Sequence, residues 1–135
     1  MNPGNQRLKI KQFEVIPEAD DRHRVRVTLT CRDKDFVGER SGGGDDLARL
    51  TVAAQATLDA ITAALINPIK LELKGVNSDE AFEELSESLL IVAVMIDDGK
   101  SEMVMPGSCR VVGDKVEATI KATLDATNRI TELYI

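Results

Sequence analysis

The pentapeptide Ala56-Thr57-Leu58-Asp59-Ala60 recurs letter for letter as Ala122-Thr123-Leu124-Asp125-Ala126, 66 residues further along a chain of 135. At that offset Leu50, Ala54, Leu58 and Ile61 meet Val116, Ile120, Leu124 and Thr127. One helical face is therefore carried in both copies, which marks a duplicated structural unit. Around the first copy, Leu50, Ala54, Leu58, Ile61 and Leu65 recur every three or four residues, the spacing of a single buried helical stripe. Asp45 or Asp46 can cap that helix, and Asn67-Pro68 ends it, because a residue before proline avoids helical geometry. The second helix begins near Asp114 and frays near Arg129 to Thr131.

Upstream of each helix the period changes to two. Leu8, Ile10 and Phe13, then Val25, Val27 and Leu29, alternate with charged residues as half-buried strands do. In the second half Leu71 and Leu73 alternate, Leu89 to Ile96 is a continuous apolar run, and Met103 to Val112 follows the turn at Asp98-Gly99. A third strand in the first half is placed around Asp35 to Gly38. The acidic stretch Asn77 to Glu87 has no periodicity that decides between a short helix and a loop. Each half thus reads β-β-β-α, about 6–66 and 68–132, within a single domain. The expected class is α+β, a two-layer arrangement of antiparallel sheets with two helices packed on one face. If the run Leu89 to Ile96 is apolar on both sides, such a monomer leaves one side open, and self-association would cover it.

Composition narrows the function more by exclusion than by assignment. A net charge of −6 and scattered basic residues argue against a nucleic-acid or membrane-surface partner. The densest basic run, Arg22 to Arg32, alternates with Val25, Val27 and Leu29 and reads as the wet face of a strand. No apolar stretch approaches a membrane span. Cys31 and Cys109 sit in unrelated contexts without a secretory signal, so buried thiols in a reducing cytoplasm are expected. The one histidine, His23, has no nominated nucleophile or orienting partner, and no zinc or calcium spacing is present. No metal and no cofactor is expected, and an enzyme is not. Gly99-Lys100-Ser101 imitates the end of a phosphate loop, yet position 94 is valine and the context is a hairpin.

One stretch has the strand-to-helix setting in which ligands are held. Gly42-Gly43-Gly44-Asp45-Asp46 precedes the first helix, where glycines permit close backbone approach and helix N–H groups are free. The two aspartates oppose an anion and suit an ammonium group, or act as cap alone. The equivalent junction in the second half, Gly107-Ser108 and Gly113-Asp114, is about three residues shorter.

A glycine-rich turn closing a strand, then a helix with a buried stripe, repeated as β-β-β-α and ending in Ala-Thr-Leu-Asp-Ala-Thr-Asn-Arg with Asn128-Arg129, resembles the carboxyl-terminal regulatory domain of 2-isopropylmalate synthase. The likeness covers nearly the whole chain in architecture and two short stretches in residues. It implies a dimer that binds an amino-acid effector where strands meet helices. Carried over by position, the implied ligand-binding residues are Gly42, Gly43, Gly44 and Asp45, with Gly107 and Ser108 in the second half. The chain departs from the family at Asp45-Asp46-Leu47-Ala48-Arg49, where the family continues Pro-Val-Asp, so leucine specificity is not carried over. The catalytic barrel is missing, which implies a stand-alone domain. The resulting expectation is a non-enzymatic, cytoplasmic regulatory module, a homodimer or higher homo-oligomer, sensing a small molecule or a protein partner. The alternative is an assembly protein that self-associates through its sheet face or edge without a ligand.

Overall fold

Alternating apolar residues and tight turns generate two hairpin-linked sheets, each completed by a helix. The computed structural model describes residues 7–67, 69–82 and 87–134. Strands β1 (Lys9–Pro17), β2 (Arg22–Cys31) and β3 (Lys34–Gly43) lead into helix α1 (Asp46–Ala64). Strands β4 (Lys70–Phe82), β5 (Glu87–Asp97) and β6 (Glu102–Arg110) lead into α2 (Lys115–Thr131). The six strands form two antiparallel three-stranded sheets, ordered β1-β2-β3 and β4-β5-β6. The β2–β3 hairpin turns on Arg32 and Asp33, both at positive φ, as the right-handed twist of flanking strands favours in a two-residue loop.

The duplication extends into the register. Ile10 and Phe13 lie opposite Leu29 and Val27, as Leu73 and Val76 lie opposite Val94 and Val92. Between them each first strand carries one bulged residue, Lys11 in β1 and Lys74 in β4. Gly44 and Gly113 both adopt positive φ and deliver the chain to an N-cap aspartate. Asp45 accepts from Ala48 N at 2.9 Å and Asp114 from Val116 N at 2.7 Å. Counted from the register-matched glycines, Gly38 opposite Val27 and Gly107 opposite Val92, seven residues lead to the cap aspartate in each half (45 − 38 and 114 − 107). The three-residue difference expected there lies inside α1, which runs 11 residues from its cap to Ala56 where α2 runs 8 from its cap to Ala122.

Each helix covers the inner face of its own sheet and reaches the first strand of the other half. Helix α1 packs on β2 and β3 and touches β4; α2 packs on β5 and β6 and touches β1; the helices also pack on each other. This three-sided packing buries more than the single stripe the spacing predicts, adding Val52, Ala53, Ala56, Thr57, Ala60 and Ala64 in α1. One continuous core joins Val25, Val27 and Leu29 to Leu90, Val92 and Val94 through the helices. In α2 the inward positions include Thr119, Thr123 and Thr127, whose hydroxyls donate to backbone carbonyls at 2.8–2.9 Å. A buried threonine satisfied in this way serves where an apolar residue is expected.

Three local expectations change. The third strand of the first half is longer than Asp35 to Gly38, so Gly42 and Gly43 are paired sheet residues opposite His23 and Arg22 rather than an entry loop. The acidic segment from Asn77 continues β4 as far as Phe82, with Asn77 opposite Ile91; positions 83–86 lie outside the described residues. Cys31 is buried, but Cys109 is only half-buried on the edge strand β6. Among the described residues no helix is long and apolar enough to cross a membrane.

Candidate functional site

The sequence-derived candidates fall at two places that are not equivalent in the duplication. Gly42, Gly43, Gly44 and Asp45 run together through the end of β3 into the cap of α1. A Cβ on Gly42 would press on Val52 Cγ2, whereas one on Gly43 would meet the flexible Arg22 Cγ at 3.2 Å. Gly107 and Ser108 instead lie in the middle of β6. Val92 pairs with Gly107 as Val27 pairs with Gly38, so the counterpart of Gly107 is Gly38, not Gly42. A Cβ at Gly38 would collide with the backbone of Ala56 and Ala60, and one at Gly107 with that of Ala122 and Ala126. Gly107 is thus a contact glycine that seats α2 on its sheet.

Ser108 N donates to Asp125 Oδ2 at 3.0 Å. In the first half Asp59 performs the same tie to the third strand through Arg40, whose Nε donates at 2.6 Å. That hydrogen bond, more than the Coulomb attraction, raises the Arg40 pKa. Beside this region, burial pushes the Cys109 thiol above its ordinary range, which suppresses the reactive thiolate. Among the described residues no group of three or more His, Cys, Asp and Glu is placed to hold a metal ion.

A concavity arises where each helix meets the other half's first strand, and the residue spacing alone does not reveal it. Between α1 and β4 is a cleft of about 280 Å³ walled by Arg40, Gln55, Asp59 and Glu72 over Leu58 and Leu73. Between α2 and β1 is one of about 400 Å³ walled by Arg7, Lys9, Lys121 and Asn128 over Ile10 and Leu124. The two clefts are counterparts: Leu124 repeats Leu58, Asp125 repeats Asp59, and Ile10 repeats Leu73. Their charges have diverged. Glu72 stands where the second cleft has Lys9, and Gln55 where it has Lys121. The signal available in sequence was the Leu58/Leu124 match combined with the strand repeat at an offset of 63.

The outward sheet faces have diverged as well. On the first sheet Arg24 and Arg26 pair with Glu39 at 3.1 and 3.4 Å, and Arg26 with Glu14 at 3.8 Å. On the second, β5 turns Leu90, Val92, Val94 and Ile96 into the core and Leu89, Ile91, Ala93 and Met95 outward, beside the exposed Val104 on β6. The run is apolar on both sides, as its continuity suggests.

No protein-family model matches the chain, and no curated protein matches it.

Proposed function

We propose that the chain is a non-enzymatic regulatory module that binds a small molecule between its two halves and works as a cytoplasmic homodimer. The observation that carries this reading is the pair of counterpart clefts, each spanning a helix of one half and a strand of the other. A ligand seated there touches both halves and favours one relative arrangement through its differential affinity, which a partner can read. The resemblance to the regulatory domain of 2-isopropylmalate synthase supports the same reading and suggests an amino-acid effector. The glycine junction from Gly42 to Asp45 is a second candidate contact region.

A specific observation favours one other reading, a ligand-free assembly protein. It is the apolar outward face of β5, whose counterpart on the first sheet is closed by ion pairs. A thermal-shift screen against amino acids, 2-oxo acids and nucleotides, paired with sedimentation at several protein concentrations, tests both. A ligand at a hundred times its Kd contributes about 2.7 kcal/mol, enough to raise Tm by several degrees. A flat screen accompanied by concentration-dependent assembly would replace the sensor with the assembly protein.

A further inference from the structure

We propose that the recess between the β2–β3 hairpin and the carboxyl end of α1 binds a medium-chain fatty acid, with the aliphatic tail inside and the carboxylate on Arg32 and Lys34. The recess lies at the opposite end of α1 from the glycine junction and shares no lining residue with the inter-half clefts, so the inference goes beyond the reading above. Three observations converge on that ligand.

The first is the lining of a recess of about 260 Å³. Cys31 and Ala64 are buried at its floor, Phe36 and Leu65 are half-buried along its sides, and Ile66 is 78% exposed at its mouth. Ile66 N donates to Tyr134 O at 2.8 Å, which holds that residue in place beside the opening. An apolar concavity with a few charged groups at one side suits a ligand with a tail and a charged head. The second observation is charge. The two charged residues that line the recess, Arg32 and Lys34, are both basic in a chain of net −6, whereas Asp59 and Glu72 or Asp125 line the inter-half clefts. Asp35, next to Lys34 in the chain, is engaged by Lys11 at 2.6 Å, and Lys34 makes no ion pair among the described residues. The carbonyl end of α1 repels an anion, so the carboxylate settles on the hairpin and the tail runs along the helix. The third observation is the divergence of the two copies. Register sets Ile96 in the place of Cys31, Asp97 in that of Arg32 and Met103 in that of Lys34, and the helix repeat sets Ile130 in the place of Ala64. The second copy therefore has a fuller floor and an acidic rim, and the first copy alone joins small floor residues to basic ones above.

The test is calorimetric titration of the full chain with octanoate, octan-1-ol, octylamine and butanoate. Octanoate is expected to bind, with the alcohol and the amine roughly tenfold or more weaker for want of the carboxylate. Butanoate, four methylenes shorter, should also be at least roughly tenfold weaker. An Arg32→Asn/Lys34→Gln variant should bring octanoate down to the level of octan-1-ol; asparagine is chosen because Arg32 has positive φ. Ala64→Ile, which repeats Ile130 of the second copy, should fill the floor and weaken octanoate roughly tenfold. Ala63→Leu, at an exposed position on the wall, checks the same filling without disturbing the core. Lys100→Gln, in the β5–β6 turn, should change nothing. Absence of octanoate binding, equal binding of the amine, or affinity unchanged in both the Arg32/Lys34 and the Ala63→Leu variants overturns the assignment. Each of these results leaves the inter-half clefts and the reading built on them standing.

Discussion

Ala56 and Ala60 stand one helical turn apart, and that spacing lets Gly38 rest against bare helix backbone; Ala122, Ala126 and Gly107 repeat the arrangement. Between the alanines, Thr57 and Thr123 return their hydroxyls to the helix at 2.8 Å. Leu58 and Leu124 line the clefts, and Asp59 and Asp125 tie helix to strand. The pentapeptide is therefore preserved because all five positions are constrained at once. Its partner glycines could not be matched by the same alignment, since the offset is 69 at Gly38 and Gly107 but 66 at the helices. An offset of 66 sets Gly107 against Ser41, next to Gly42, and so away from its counterpart Gly38. A methyl group at Gly38 or Gly107 has backbone in its way, so G38A or G107A is expected to destabilise by about 1–3 kcal/mol or more through overpacking. Gly75 meets nothing within 4 Å, and G75A should be neutral or gain up to about 1 kcal/mol. Chemical unfolding of the three variants checks the contrast.

Elements were legible in the sequence wherever periodicity and punctuation agreed. Both helices and their aspartate caps follow from spacing and side-chain chemistry. The end of β4 did not, because Asn77 and Asp79 are polar residues held in the sheet by pairing with Ile91 and Leu89, a long-range effect that local pattern does not carry. Turns add their own chemistry. Asp98 closes the β5–β6 turn by accepting from Lys100 N at 2.8 Å and Ser101 N at 2.9 Å, and these backbone donors, Ser101 foremost, lower its pKa. Asp35 is lowered chiefly by its hydrogen bond from Lys11. A depressed folded-state pKa contributes stability above the unfolded value of 3.8, and that contribution is lost as pH falls through the folded value. Tm should accordingly drop on acidification below about pH 4, by less in an Asp98→Asn variant; equal drops in both proteins would discount the turn.

At the level of the whole molecule, the duplication has produced one body rather than two beads. Each helix is shared between its own sheet and the other half's first strand, so neither half buries its apolar surface alone. Unfolding is expected to be a single cooperative transition, with the calorimetric enthalpy equal to the van't Hoff enthalpy. Two resolved steps would contradict the shared core. The inter-half clefts belong to this scale. A cleft made by elements from opposite ends of the chain leaves no contiguous motif.

Two three-stranded sheets leave four strand edges, each able to recruit a foreign strand. On β1 and β4 the bulges place Lys11 and Lys74 where the pairing breaks, and on β6 Pro106 withholds a donor. The bulged lysine thus guards against fibre-like stacking, and the chain inherited that protection twice when the unit was copied.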